Sequence, residues 1–288
     1  MIPLPEKDAA LGVGLGLRRD LMDALLARTP REVEWLEVAP ENYAGTGGLF
    51  YRKFRAAADR WPVAAHGLSL SIGSVDPLDW SHLRRVKRFL RAEGVRWFTD
   101  HLCFTSYGGA HLHDLVPLPF TREAVRHLVP RIRAVQDYLE VPFGLENVSY
   151  YTPMGRPEMD EATFLLEVLE GADCGMLLDV NNVYVNGVNQ RYDARAFLDR
   201  MPAGRVMQLH MAGHYVETPE LLIDTHGEDV PDPVYDLLDH ALARIGPRPI
   251  LLERDFNFPP FETLVGELRR LRALYDKHAA AERAHALG

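Results

Sequence analysis

Seven short apolar runs in this 288-residue chain end in an imidazole or a carboxylate: Glu37, His66, His101, Glu146, Asp179, His210 and Glu253 close them in order. Any one of these alone would ordinarily be a hydrogen-bonded structural residue. Gathered in one mouth, they would cost several kcal/mol in desolvation and like-charge repulsion unless cations neutralised them. Imidazole and carboxylate donors without thiolates suit first-row divalent ions such as iron, manganese or zinc, and a carboxylate can bridge two of them. Further donors follow close behind. His214 lies four residues past His210, and Asp224 and His226 alternate as two same-face donors on an extended segment. Asn182 follows Asp179 by three residues, although Asn181, Asn186 and Asn189 make that stretch equally suited to capping or an Asx-turn. His111 and His113 also alternate, in a hairpin-like loop, and are expected to shape the mouth rather than bind metal.

The elements that position these groups alternate along the chain. Eight candidate strands, 12–17, 33–38, 63–68, 95–102, 141–146, 175–179, 206–210 and 250–254, are separated by longer helical patterns. Several are continuous apolar stretches, as strands covered on both faces should be. Leu83, Val86 and Leu90, and then Val125, Leu128, Ile132, Val135 and Leu139, recur at the steps of a buried helix face. Pro130 is expected to bend the second of these helices, and an amphipathic stretch from Phe261 to about Ala284 closes the chain. The pattern predicts an α/β fold, a single (β/α)8 TIM-like barrel of the xylose-isomerase type. It predicts one domain over residues 1–288, with the metal site at the C-terminal mouth of the strands. Two connections, about Cys103–Phe120 and Met211–Val230, are too long for simple loops and read as functional. Gly12, Gly14 and Gly16 lack the spacing of a dinucleotide fingerprint and read as sites of close backbone approach.

Composition narrows the partners. With 32 Lys and Arg against 41 Asp and Glu, a net charge of −9 argues against nucleic acid as partner. Two cysteines, Cys103 and Cys174, make no disulfide framework, and no apolar run of about 18 residues or secretory signal is visible. A cytoplasmic protein with no membrane association is expected.

The motifs resemble a known family. Trp35-Leu-Glu-Val-Ala-Pro-Glu-Asn-Tyr43, His66-Gly-Leu-Ser-Leu-Ser-Ile-Gly73, Asp100-His-Leu102, Leu145-Glu-Asn-Val-Ser149, Leu178-Asp-Val-Asn-Asn-Val-Tyr184, His210-Met-Ala-Gly-His214, Asp224-Thr-His-Gly227 and Leu252-Glu-Arg-Asp255 occur in that order. They are similar to those of the multinuclear non-haem iron-dependent oxidative enzymes, the family of the iron subunit that matures methanobactin. The resemblance implies two or three iron ions, as Fe(II) and Fe(III), with dioxygen as co-substrate. It implies oxidative modification of a ribosomally synthesised precursor peptide, frequently at a cysteine. Carried over by motif, the metal ligands would be His66, His101, Glu146, Asp179, Asn182, His210, His214, Asp224, His226 and Glu253, with Glu146, Asp179, His210 and Glu253 at the catalytic centre. Where the family often has His before its Pro-Glu-Asn, this chain has Ala39.

On that reading an iron pair takes the substrate thiolate and uses dioxygen to remove hydrogen from its Cβ, while the protein sets geometry and open positions. Tyr43, Tyr107, Tyr184, Asn147 and Arg254 are candidates for supporting the ligands, and a separate peptide-recognition protein is expected as partner. Three other classes share the donor set. They are a manganese sugar isomerase or epimerase, a trinuclear-zinc phosphodiesterase, and a non-catalytic metal-dependent binding protein.

Overall fold

The computed structural model describes residues 11–286. Eight parallel strands close a barrel: β1 (Val13–Gly16), β2 (Trp35–Val38), β3 (Val63–Gly67), β4 (Phe98–His101), β7 (Phe143–Glu146), β8 (Gly175–Asp179), β9 (Val206–Met211) and β12 (Ile250–Leu252). β12 pairs back onto β1. Two antiparallel hairpins project from the ring, β5 (Phe104–Tyr107) with β6 (Ala110–Val116), and β10 (Tyr215–Thr218) with β11 (Leu221–Ile223). These hairpins occupy the two long connections. The helices are α1 (Met22–Arg28), α2 (Gly48–Ala58), α3 (Trp80–Glu93), α4 (Arg122–Leu139), α5 (Glu161–Ala172), α6 (Val180–Gln190), α7 (Ala194–Arg200), α8 (Asp232–Ile245) and α9 (Phe261–Ala286). No helix among the described residues is long and apolar enough to cross a membrane.

Every residue of the barrel strands is buried, which explains why several of them are almost wholly apolar apart from the polar groups near their ends. Several helices start where short polar side chains satisfy free backbone N–H groups: Thr121 caps α4, Asp160 caps α5 and Asp193 caps α7. Leu128, Ile132, Val135 and Leu139 form the buried face of α4; Pro130 lies on its solvent side, and the helix runs on through it to Leu139. Six strands, β1 to β4, β7 and β12, are shorter than their apolar runs suggest. The fourth begins at Phe98 rather than Val95, the fifth at Phe143 rather than Val141, and the last ends at Leu252 rather than Arg254. A strand extends only as far as its neighbours pair with it, and β12 is matched by only three residues on each side.

Two apolar layers result. One fills the space between strands and helices. The other, Trp35, Ala64, Trp97, Met207 and Leu251, plugs the barrel interior. Gly14 is required there, because a Cβ at that position would meet the Trp35 ring at 2.4 Å. The ladder between β8 and β9 shifts register between Met176 and Leu177, which pair with Val206 and Gln208 and leave Met207 as an extra residue.

Candidate metal centre

The strand ends bring seven donors together. His66 stands near the end of β3, His101 ends β4, Glu146 ends β7, Asp179 ends β8, His210 lies on β9 and Glu253 follows β12, each of them buried. The seventh, His226, comes from the loop after β11 and is mostly buried. They form three groups whose donor atoms lie within 4.8 Å of one another: His66, His101 and Glu146; Glu146, Asp179 and His210; and Asp179, His226 and Glu253. Glu146 belongs to the first two groups and Asp179 to the last two, so the three positions are linked in a chain by shared carboxylates.

Within the first group His66 Nε2 lies 3.2 Å from His101 Nε2 and 3.0 Å from Glu146 Oε2. In the second, His210 Nδ1 lies 3.8 Å from Glu146 Oε1 and 4.0 Å from Asp179 Oδ2. Glu253 Oε2 is 3.0 Å from His210 Nδ1 and 3.3 Å from His226 Nδ1. Donors that share one first-row ion at bond lengths near 2.1 Å stand about 3 Å apart.

The electrostatics show what the donors lack. Glu146 Oε2, Asp179 Oδ2, Asn182 Oδ1, His101 Nδ1, His210 Nδ1 and His226 Nε2 are buried without a well-formed hydrogen bond. Such atoms normally have partners, and leaving one unpaired costs about 1–3 kcal/mol. Without cations the groups share protons instead. Burial pushes the His66 imidazole down, but Glu146 and then Glu37 more than offset it and raise it to about 9. Burial and the neighbouring His66 lower His101 to about 4. Burial acts to raise Glu146, yet His101 and His66 bring it down to about 2. Burial holds Asp179 well above the usual carboxylate range. Against the opposing effect of burial, Glu37 and Glu253 raise His210, and Asp224 and Glu253 raise His226. A donor set with orphaned lone pairs and forced protons fits divalent cations.

A supporting shell fixes these groups. Thr99 Oγ1 lies 2.9 Å from His66 Nδ1, which leaves Nε2 toward Glu146. Asp179 is strand end and helix cap at once: its Oδ1 accepts from Asn182 N at 2.6 Å while Oδ2 stays free for the site. Asn147 brackets the Asp179 backbone, accepting from its N–H and donating to its C=O. Arg18 donates to Glu253 Oε1 at 2.6 Å and to Asp255 Oδ1 at 2.8 Å. Above the donors lies a cavity of about 980 Å³, walled by His111, His113 and Leu115 of the first hairpin and by Tyr150, Tyr151 and Thr152.

The three remaining residues of the implied ligand set stand differently. Asp224 lies 2.9 Å from His226 Nε2, and Ser149 Oγ and Asn181 Nδ2 each donate to it at 2.9 Å. Asn182 sits in the first turn of α6, its Nδ2 donating to Asn147 O and its Oδ1 buried and unpaired. His214 is held apart. Its Nδ1 lies 2.7 Å from Asn181 Oδ1, its ring stacks on Tyr184, and it borders a separate open groove with Tyr215 and Val216. Of the supporting candidates, Asn147 contacts a donor residue directly. Tyr43 instead stacks on Phe54, Tyr107 is exposed on the hairpin, and Arg254 binds Asn257 O and Asp229. Ala39 lines the cavity and offers no donor.

Sequence reasoning overlooked Arg18, Thr99, Ser149 and Gln208. Signals existed: Arg18 lies two residues past β1, and Thr99 and Gln208 sit two residues before His101 and His210, on the same strand face.

The barrel is of the xylose-isomerase type. It matches a xylose isomerase domain protein from Alicyclobacillus acidocaldarius with a TM-score of 0.59 and 18% identity, over 92% of this chain and 99% of that one. It matches 3-keto-D-glucoside 4-epimerase from E. coli with a TM-score of 0.62 and 11% identity, over 91% and 99%. At such identities the likeness is one of fold. Residues 12–276 match the model of the RiPP precursor modification enzymes MbnB/TglH/ChrH, and the chain belongs to this family. It is also 49% identical to a UPF0276 protein of Shewanella amazonensis, over 94% of this chain and 95% of that protein. A UPF0276 protein of Pseudomonas aeruginosa strain PAO1 is 48% identical, over 96% and 97%.

Proposed function

We propose that this chain is a single barrel domain that uses two or three iron ions and dioxygen to modify a ribosomally synthesised precursor peptide, at a cysteine. The observation that carries the reading is the linkage of three donor groups through Glu146 and Asp179, since shared carboxylates are how ions are held side by side. His66, His101 and Glu146 would hold one ion, Glu146, Asp179 and His210 a second, and Asp179, His226 and Glu253 a third. Asp224, 2.9 Å from His226 Nε2, would complete the last, and the unpaired Asn182 Oδ1 is a further oxygen donor.

Iron, when bound, supplies the one-electron chemistry and the use of dioxygen that no side chain here can provide. The protein's own residues do the rest. Thr99 fixes the His66 ring, and Arg18 engages one oxygen of Glu253 so that only the other faces His210 and His226. The cavity above admits an extended peptide between the wall of residues 111–117 and that of residues 149–152, with one side chain directed down at the donors. We assign capture of the rest of the precursor to a separate protein, because the described chain from β1 to α9 is spent on the barrel, its helices and its hairpins.

The test supplies anaerobically iron-loaded protein with its precursor peptide, the partner protein and dioxygen, and follows peptide mass and oxygen uptake. Oxygen-dependent mass change is the expected result. An unchanged peptide under those conditions, or stoichiometric zinc or manganese at sites that iron cannot occupy, overturns it.

A further inference from the structure

Beneath the donors lies a buried polar chain that no ligand role accounts for. Trp97, Gln208 and His210 are fully buried and Glu37 is 2% exposed. The indole N–H can only donate, and Trp97 Nε1 lies 2.7 Å from Gln208 Oε1, so the Gln208 oxygen faces Trp97 and its NH₂ faces the other way. That NH₂ donates to Glu37 Oε2 at 2.5 Å and also stands 2.9 Å from His210 Nε2. Glu37 Oε1 lies 3.0 Å from the same His210 Nε2. On the far side of the ring, Nδ1 points at Glu253, Glu146 and Asp179.

Two neighbours therefore compete for one ring nitrogen. The Gln208 amide would make Nε2 an acceptor and push the ring proton onto Nδ1, where it would block an ion. The Glu37 carboxylate would accept a hydrogen bond from Nε2–H, keeping the proton there and leaving the Nδ1 lone pair free. An ionised acceptor binds about twice as strongly as a neutral one, so the carboxylate prevails.

We propose that Glu37 is a positioning residue: it holds the proton of His210 on Nε2 and aims Nδ1 at the metal centre, with Trp97 and Gln208 setting the direction of that bond. The proposal rests on the reading of these donors as a metal centre. Glu37 lies outside the three donor groups, and the donor it contacts is His210, through Nε2.

The test uses the full chain, cobalt(II) as probe and no oxygen or peptide, with binding followed by visible absorbance and by equilibrium dialysis. Glu37→Gln retains the shape but lets Gln208 dictate the tautomer, and it is expected to weaken cobalt binding by roughly 10–100-fold. The double variant Glu37→Gln with Gln208→Glu puts a carboxylate at the position 2.9 Å from Nε2, where it still accepts from Trp97, and is expected to recover affinity to within about threefold. Zinc-loaded protein labelled with ¹⁵N-histidine gives a reading that no variant's folding can compromise: His210 is expected to carry its proton on Nε2. A single variant that binds cobalt like the wild type, a double variant no better than the single, or a proton on Nδ1 overturns the role of Glu37 and leaves the metal centre standing. A wild-type chain that binds no cobalt removes the metal centre itself, and the role of Glu37 with it.

Discussion

The two ends of the barrel interior are built from the same strands and behave as opposites. Trp35 and Glu37 are two residues apart on β2, Ala64 and His66 on β3, and Leu251 and Glu253 at the end of β12; Trp97, Thr99 and His101 follow the same step into β4. The first member of each set belongs to the apolar plug. The last belongs to the mouth, with its donors and the carboxylate that steers one of them. A step of two keeps a side chain on the same face of the sheet and moves it about 7 Å along the strand. That step, taken twice on β4, separates residues that close-pack from residues whose imidazoles and carboxylates face one another across the mouth.

This contrast can be broken from either end. At the mouth, Glu146→Ala removes a donor shared by two positions. It is expected to abolish peptide modification and to lower metal affinity by well over the roughly 100-fold expected for an outer partner, as elemental analysis and dialysis would read. A variant that keeps its full metal content would refute the linked arrangement. At the plug, Trp35→Ala should cost about 3–5 kcal/mol of stability in urea melts and leave the metal content of the folded protein unchanged. Lost metal in folded protein would show that the two ends are not separable.

A third buried group sharpens the comparison, because it lies outside the donor set. Glu161 begins α5 beside Asn186 and is raised to about 7, burial outweighing its bonds to Tyr150, Tyr192 and Asn186. Its folded value lies above its unfolded value near 4.5, so stability is full below about pH 4.5 and falls as pH rises to 7. Glu161→Gln should remove that dependence. Relative to wild type it is expected to be more stable at pH 8 than at pH 5 by roughly 3 kcal/mol in metal-free urea melts. Equal differences at both pH values would exclude a buried neutral carboxyl.

Smaller effects test the mouth itself. His66, raised to about 9, keeps its proton at pH 7 in the metal-free protein and must release it to bind an ion. Its contribution to metal-free stability is full below about pH 6.5 and is lost as pH rises through 9. Metal affinity moves the other way, weakening by about tenfold per unit as pH falls from 9 to 7 for each proton displaced. Calorimetry in buffers of different ionisation enthalpy counts those protons, and binding without proton release would contradict the arrangement. The smallest effect is expected for His214→Ala, less than about tenfold on metal affinity, because that imidazole is held by Asn181 and Tyr184 away from the donors. A loss as large as that of Glu146→Ala would mean that His214 turns inward to bind.

Much of this was legible in one dimension. Eight apolar runs alternating with helical patterns, seven of them with a polar terminus, implied a parallel barrel, and six of the seven marked strand ends, all but Glu37, stand in the donor groups that the fold assembles. The first hairpin was legible in the alternation of His111 and His113, the second only as a connection of unusual length. Arg18 was marked only by its place just past a strand end, and its role became visible when Glu253 and Asp255 were brought against it from more than 230 residues away.

The sequence by itself determined the alternation of strand and helix, the place of each donor along its strand, and the supply of oxygen and nitrogen ligands without thiolates. Those properties are local, fixed by hydrophobic period and residue type. Only the tertiary structure decided that Glu146 and Asp179 each serve two positions, that His214 faces Asn181, and that Glu37 stands behind His210. The reason is geometric: closure of the barrel and the extra residue at Met207 set which strand ends meet, and those distances arise between residues far apart in the chain.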